Sequence, residues 1–199
     1  MGFFEKLAEN KSIILFILIL DIIGVFFSAY TYRYDILINI SIGDFFIIPF
    51  FMVSFWLFFL SALCCFYLYK SRKLPSFLGG LSFIYCFVYG FGSVLFYPLF
   101  MFFVRGVTLY HVWNIFAHGF VGLQSLIFIR HVNKFKIFHY LSFGFIFLFK
   151  DILDLFYSGF LYFVNFIFPD FLKTIIIFII GALQIVAFYL LFVSDKRLK

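Results

Sequence analysis

The sequence predicts an all-α fold, a polytopic membrane bundle of six transmembrane helices that occupies residues 1–199 as one domain. Three observations indicate this class. Hydrophobic residues make up 66% of the chain and charged residues 12%, whereas about 25% of the residues in soluble domains are charged. The mean hydropathy is +1.16. Six apolar stretches each reach about 20 residues, the length that crosses a bilayer as a helix.

The predicted spans follow these stretches in chain order. They cover residues 12–32, 45–69, 77–97, 107–129, 137–160 and 171–193. The first span begins after Lys6 and Lys11 and is longer than the apolar core of a signal peptide, which has about 7–15 residues. We therefore predict that the first span is retained as a helix.

Prolines mark several of the predicted helix ends. Pro49 lies near the start of the second span, Pro75 before the third and Pro169 before the sixth, and the first turn of a helix tolerates proline. We expect Pro98 to end or kink the third span. The fourth and fifth spans are predicted from apolar length alone.

Positive charge in the loops predicts the orientation. With the N-terminus inside, eleven Lys and Arg residues fall on the inner face and three on the outer face, while Lys150 lies within the fifth span. Cytoplasmic loops carry the excess of Lys and Arg, so we predict a multi-pass protein of the cell membrane with both termini in the cytoplasm. Topology then explains the net charge of +6, and no nucleic-acid partner is expected. The inner residues are Lys6, Lys11, Lys70, Arg72, Lys73, Arg130, Lys134, Lys136, Lys196, Arg197 and Lys199, and the outer ones are Arg33, Arg105 and Lys173.

Five His and Asp residues lie a helical turn or more inside predicted spans, in addition to Lys150. His111 and His118 belong to the fourth span, Asp151 and Asp154 to the fifth, and Asp21 lies near the middle of the first. An Asp at the centre of a spanning helix costs about 2.5–3.5 kcal/mol on the insertion scale, a cost that a packing seam of Gly and Ser avoids. With a rise of about 1.5 Å per residue, the five groups fall at matching depths. We therefore predict one polar pocket that opens outward.

Helical spacing predicts which faces point into the bundle. In the first span, Asp21, Gly24, Ser28, Thr31 and Asp35 form one stripe, because residues three and four apart share a helix face. A second stripe runs along the fourth span and consists of His111, Asn114, His118 and Ser125. Cys64, Cys65 and Cys86 lie in apolar stretches without CxxC spacing and are predicted to be packing residues.

The leading hypothesis is a divalent metal ion in this pocket, held by His111, His118, Asp151 and Asp154, with Asp21 as a further ligand or base. Imidazole and carboxylate together suit zinc, iron or manganese. If the metal activates water, a carboxylate serves as general base, so the candidate catalytic residues are Asp151, Asp154 and Asp21. The substrate would be a lipid or another apolar molecule. The two histidines lie about 10.5 Å apart along the helix axis, which favours one metal ion with one His, a two-metal site, or one His that orients a ligand without binding the metal.

Three alternatives stay open from the residues. Haem could use one of these histidines as an axial ligand, but the sequence offers no clear partner for bis-histidine ligation. Chains of Asp and His are also typical of proton relays and coupled transporters, in which Lys150 would neutralise Asp154 four residues later. In a non-catalytic subunit, the polar stripes would be packing faces toward a membrane-complex partner or a second copy of the chain.

Three segments of the chain carry a family resemblance. The elements "DIIGVFFSAYTYRYD", "LYHVWNIFAHG" and "KDILDLFYSG" resemble, in order and spacing, a family of small bacterial and archaeal membrane proteins known as domain of unknown function 1405. The resemblance covers residues 12–194, and its most specific points are the pairs His111/His118 and Asp151/Asp154. It implies a six-helix integral membrane protein and brings no established activity, so the functional hypotheses depend on the residues themselves.

Overall fold

A computed structural model of the chain is all-helical over the residues that it describes, which are 3–43, 48, 52–156 and 168–197. The helices are α1 (Phe3–Glu9), α2 (Lys11–Ile42), α3 (Val53–Tyr69), α4 (Ser76–Phe100), α5 (Leu109–Phe128), α6 (Ile137–Phe156) and α7 (Asp170–Arg197).

The six predicted spans correspond to α2 through α7, and α1 is an additional short helix that the sequence analysis did not predict. Within the described residues, three segments are long and apolar enough to cross a membrane: Lys11–Ser41, Ser76–Val104 and Asp170–Asp195. The apolar helix α3 is shorter, and α5 and α6 have 20 residues each. The membrane-protein class is therefore supported, and the count of six spans stays a prediction. Pro49 and residues 157–160 of the fifth predicted span lie outside the described residues.

Helix α2 runs ten residues beyond the predicted end of the first span. Charged residues such as Arg33 do not stop it, because arginine is a good helix former. The Arg33 guanidinium lies over the rings of Tyr30 and Tyr34, 3.7 and 4.2 Å from their centroids. The helix ends where Gly43 takes a left-handed conformation, with φ of 85°, which glycine adopts without the steric penalty of a Cβ. The polar stripe predicted on the first span is buried only in part: Asp21 and Ser28 are buried, whereas Thr31 and Asp35 are exposed.

Helix α4 is the centre of the bundle. It packs against α3, α5, α6 and α7, and residues 82–90 are all buried. Pro75 directly precedes this helix, as predicted, but the helix does not end at Pro98. It continues to Phe100 and then widens into a π-helical turn, Met101–Arg105. Proline lacks the N–H that would donate to the carbonyl four residues earlier, so the bond that Pro98 removes lies before it, at Val94, and does not account for the π-helical turn after it.

A close backbone approach joins α4 to α5 at two glycines. A Cβ placed on Gly90 would lie 2.7 Å from the Cα and N atoms of Gly122 and 2.9 Å from the backbone oxygen of His118. These are backbone atoms, which cannot rotate away. Small residues at a membrane helix interface allow such an approach, and this contact fixes the position of the helix that carries His118.

The loops between α3 and α4 and between α5 and α6 are tied together. The N–H of Leu74 donates to the His131 carbonyl at 3.0 Å, and the N–H of Asn133 donates to the Leu74 carbonyl at 3.2 Å. The Ser76 hydroxyl also donates to the Lys134 carbonyl at 2.9 Å. These bonds hold the two connections, and therefore the four helices that they join, in one arrangement.

Candidate polar site between three helices

A buried ring of polar groups joins α2, α3 and α5 in the interior. Ser61 Oγ lies 2.7 Å from Asp21 Oδ2 and is also hydrogen-bonded to Gln124 Oε1. The Gln124 amide donates to Asp21 Oδ1 at 3.3 Å, which closes the ring. The three side chains, which we call the Asp21 ring, are 1%, 0% and 3% exposed for Asp21, Ser61 and Gln124. Polar groups buried this completely are stable only when they are hydrogen-bonded.

The helices place the Asp21 ring deep in the bundle. Asp21 lies ten residues after the start of α2, about 15 Å along its axis. Between Asp21 and Ser28, every residue of α2 is apolar apart from Gly24. Cys65, one helical turn after Ser61, adds a weak thiol hydrogen bond to Asp21 Oδ2 at 3.7 Å. Cys64 and Cys86 are buried free cysteines like Cys65, as expected for packing residues.

A second polar group surrounds His118. Its Nδ1 lies 2.9 Å from the backbone oxygen of Asn114, and its Nε2 lies 2.9 Å from Ser54 Oγ. Tyr32 of α2 is hydrogen-bonded to the same serine. A carbonyl oxygen only accepts hydrogen bonds, so Nδ1 carries a proton and the neutral ring presents a bare Nε2 to Ser54. We call His118, Ser54 and Tyr32 the His118 group.

This geometry predicts the tautomer of His118. The neutral ring should hold its proton on Nδ1, because that nitrogen faces the Asn114 carbonyl while Nε2 accepts from the Ser54 hydroxyl. Nitrogen chemical shifts of histidine-labelled protein in lipid should therefore report a protonated Nδ1 and an unprotonated Nε2. In Ser54→Ala the tautomer should persist and only the Nε2 resonance should move; a proton on Nε2 alone would contradict the geometry.

Tyr97 connects the two histidines of α5. Its ring centroid lies 5.8 Å from that of His111 and 6.0 Å from that of His118. His111 Nδ1 lies 2.8 Å from Thr108 Oγ1, and the same oxygen accepts the His111 backbone N–H at 3.2 Å. Thr108 is the N-cap of α5, so the capping residue also positions the His111 side chain. Both histidines are buried, as the sequence predicts.

Phe58 lies between the His118 group and the Asp21 ring. It follows Ser54 by four residues and precedes Ser61 by three, so the three side chains share one face of α3. Its ring is 5.7 Å from the His118 ring, and a Cβ at Gly24 would overlap it. The two polar groups lie about 10 Å apart along α3, with this aromatic side chain in the interval.

Asp151 has its partner on a different helix. The Gln184 amide of α7 donates to both of its carboxyl oxygens, at 3.1 and 2.8 Å. The neighbouring Lys150 is buried, and its ammonium lies 4.5 Å from the centroid of the Tyr89 ring. Asp151 and His118 therefore face different partners, α7 for the former and α3 for the latter.

The structure assembles only part of the predicted pocket. Among the described residues, no group of three or more His, Cys, Asp or Glu side chains is arranged to hold a metal ion. Asp154 belongs to the last turn of α6, and its side chain lies outside the described part of the chain. The metal hypothesis therefore stays a prediction that depends on Asp154. The partners of Asp21 are a hydroxyl, an amide and a thiol group.

Several partners were not singled out by the sequence analysis. Gln124, Ser54 and Ser61 supply the contacts to Asp21 and His118, yet none of them belongs to a predicted stripe. One signal was present: the chain has two glutamines, both in apolar stretches. Each is hydrogen-bonded to an aspartate of another helix, Gln124 to Asp21 and Gln184 to Asp151.

Comparison of the chain with protein-family models, with curated proteins and with solved structures finds no match in any of the three. The resemblance to domain of unknown function 1405 accordingly stays a prediction.

Proposed function

We propose that this chain is a six-helix membrane protein, with both termini in the cytoplasm, that moves protons through its interior in a proton- or ion-coupled transport process. The observation that carries the proposal is the Asp21 ring, which places a carboxyl group deep between α2, α3 and α5 with hydrogen-bonded partners from two other helices. Intramembrane Asp and His residues are the usual material of proton relays.

The outer part of the proposed route consists of His118 and the groups around it. Because Nδ1 of His118 is engaged by the Asn114 carbonyl, Nε2 is the nitrogen that would take up a proton from Ser54, while Ser54 would receive a replacement proton from Tyr32. The proton would then leave Nε2 toward the Asp21 ring only after the side chains between the two groups rearrange. The ring would become an imidazolium for that interval and then return to its neutral form. Tyr97 lies beside His118, and His111 lies beside Tyr97, so these two side chains extend the proposed route toward the start of α5.

Phe58 gives the proposed route a barrier. Its apolar ring fills the interval between the His118 group and the Asp21 ring, and a proton does not cross such a gap without water or a mobile polar group. In the proposed cycle, this side chain moves aside before Asp21 exchanges its proton. That requirement would make the proton flux slow and dependent on the movement of Phe58, so that an imposed membrane potential drives a gated flux and not an open leak.

The metal-dependent enzyme stays a prediction: the described side chains form no ligand group of three or more, and the Asp154 side chain does not belong to them. A role as a membrane-complex subunit stays a prediction. Buried packing faces alone would not require an aspartate, since Gly90 and Gly122 already provide close helix contact without charge.

Proton flux in liposomes tests the proposal. With purified protein and an imposed membrane potential, wild type should acidify or alkalinise the lumen, as followed by a trapped pH dye. Asp21→Asn should lower the rate by about a hundredfold, the lower end of the range for removing a positioned proton-transferring side chain. Asp35→Asn is the matched control, because Asp35 is exposed on the same helix.

Equal flux in Asp21→Asn and wild type would contradict the proposed role of the ring. Flux in neither wild type nor Asp35→Asn, at any imposed potential, would contradict proton movement as the function and favour the enzyme or the subunit.

A further inference from the structure

The hydrogens of the Asp21 ring can be counted. Three contacts close the ring, from Ser61 Oγ to Asp21 Oδ2, from Ser61 Oγ to Gln124 Oε1, and from Gln124 Nε2 to Asp21 Oδ1. Each contact needs one hydrogen between its two heavy atoms. The Ser61 hydroxyl has one hydrogen, and the amide contributes one N–H to the ring. An ionised carboxylate has none, so two hydrogens would serve three contacts.

The count does not depend on how the Gln124 amide is oriented. With its oxygen toward Ser61, an ionised Asp21 leaves one of the two contacts of the Ser61 hydroxyl without a hydrogen. With the amide reversed, its N–H donates to Ser61 and Ser61 donates to Asp21, but the Gln124 oxygen then faces Asp21 Oδ1 without a hydrogen. Cys65 donates to the carboxyl from outside the ring and does not change the number.

We infer that the Asp21 ring is a proton-binding site, and that Asp21 carries its proton as a carboxylic acid in the folded protein at neutral pH. The third hydrogen then sits on the carboxyl group: Asp21 donates to Ser61, Ser61 donates to the Gln124 oxygen, and the Gln124 N–H donates to the other carboxyl oxygen. Every contact is then satisfied, and no net charge lies in the ring.

Asp151 provides a contrast within the same chain. Both of its oxygens accept from one donor, the Gln184 amide, and Lys150 is its neighbour in sequence. This arrangement calls for acceptors only, so it fits an ionised carboxylate. The two glutamine–aspartate pairs therefore differ: the hydrogen count requires an acid proton at Asp21 and requires none at Asp151.

This inference deepens the proposed function, because a proton bound at Asp21 is the proton that a relay would exchange. The role of the bound proton, although not its presence, rests on the proposed function. The proton would leave Asp21 only when the ring opens, which ties its release to movement of α2, α3 or α5. Any one of these helices moving away from the other two breaks at least one ring contact.

Infrared spectroscopy of the full-length protein in lipid tests the inference. A carboxylic acid has a carbonyl band well separated from carboxylate bands, and this band shifts down when the acid proton is replaced by deuterium. We expect such a band in wild type at neutral pH and its loss in Asp21→Asn. In Ser61→Ala the band should remain but move to higher frequency, because the acid loses a hydrogen-bond partner.

Two controls assign the band. Asp35→Asn and Asp151→Asn should both leave it unchanged. Asp21→Asn should fold with an unchanged melting temperature, because the asparagine N–H supplies the third hydrogen that the acid supplied. Absence of the band in wild type, its loss in Asp151→Asn, or failure of Asp21→Asn to fold would each overturn the inference.

The outcomes separate the inference from the proposed function. A band that disappears in Asp21→Asn, together with flux that does not change in that variant, would support the bound proton and contradict the relay. Flux that is lost in Asp21→Asn, without a band in wild type, would support the relay and overturn the bound proton.

Discussion

Gly90→Ala should loosen the contact between α4 and α5 and lower the stability of the bundle by about 1–3 kcal/mol, the usual cost of overpacking a tight interior. The added Cβ would lie 2.7 Å from the Gly122 backbone and 2.9 Å from the His118 carbonyl. Since neither neighbour is a side chain that can rotate away, the two helices must separate. The measurement is thermal unfolding of the purified protein in detergent, with proton flux in liposomes as a second readout.

Gly144→Ala is the control for this change. Gly144 is also inside a helix, but a Cβ there meets no atom within 4 Å. Alanine is a better helix former than glycine by up to about 1 kcal/mol, so this variant should be as stable as wild type or slightly more stable. If Gly90→Ala matched Gly144→Ala in stability, the close approach of α4 and α5 would be wrong.

Gln124→Leu should lower the free energy of unfolding by about 1–3 kcal/mol, the range for leaving a buried polar group without its partner. Leucine has similar size but offers no N–H to Asp21 Oδ1 and no acceptor to Ser61. The Asp21 ring would open while its other members stay buried. Unfolding in detergent measures the loss, and proton flux should fall as well because the carboxyl group loses its fixed position.

Gln184→Leu is the matched comparison, since the second glutamine also bonds an aspartate across helices. Asp151 and Gln184 are only partly buried, so the carboxylate keeps access to other polar groups and the loss should be smaller than in Gln124→Leu. A larger loss in Gln184→Leu would place the more important polar pair between α6 and α7.

Composition and apolar length were sufficient to predict where α2 through α7 lie, although not the short helix α1, because a bilayer requires about 20 apolar residues for each crossing. Helix ends were harder to predict. The first span was predicted to end at residue 32, yet α2 continues to Ile42 and is capped by Gly43. Arginine is a good helix former, and local backbone conformation decides where a helix stops.

Helical spacing predicted the buried face correctly for α5, whose polar stripe is buried along its whole length. His111, Asn114 and His118 are all buried, as their spacing on α5 indicates. The stripe of α2 was only half right, because Thr31 and Asp35 are exposed. Helical periodicity defines a face, but it does not say how far along that face a neighbouring helix extends.

The sequence by itself determined the all-helical membrane class and identified Asp21, His111 and His118 as unusual residues, because hydropathy and charge are properties of each stretch alone. Only the tertiary structure decided which groups meet. Asp21 bonds residues 40 and 103 positions away, and Gln124 lies about 120° around the helix from His118, off the predicted stripe. Such contacts depend on how helices pack, above all on the α4–α5 approach at Gly90, and no local pattern along one helix encodes them.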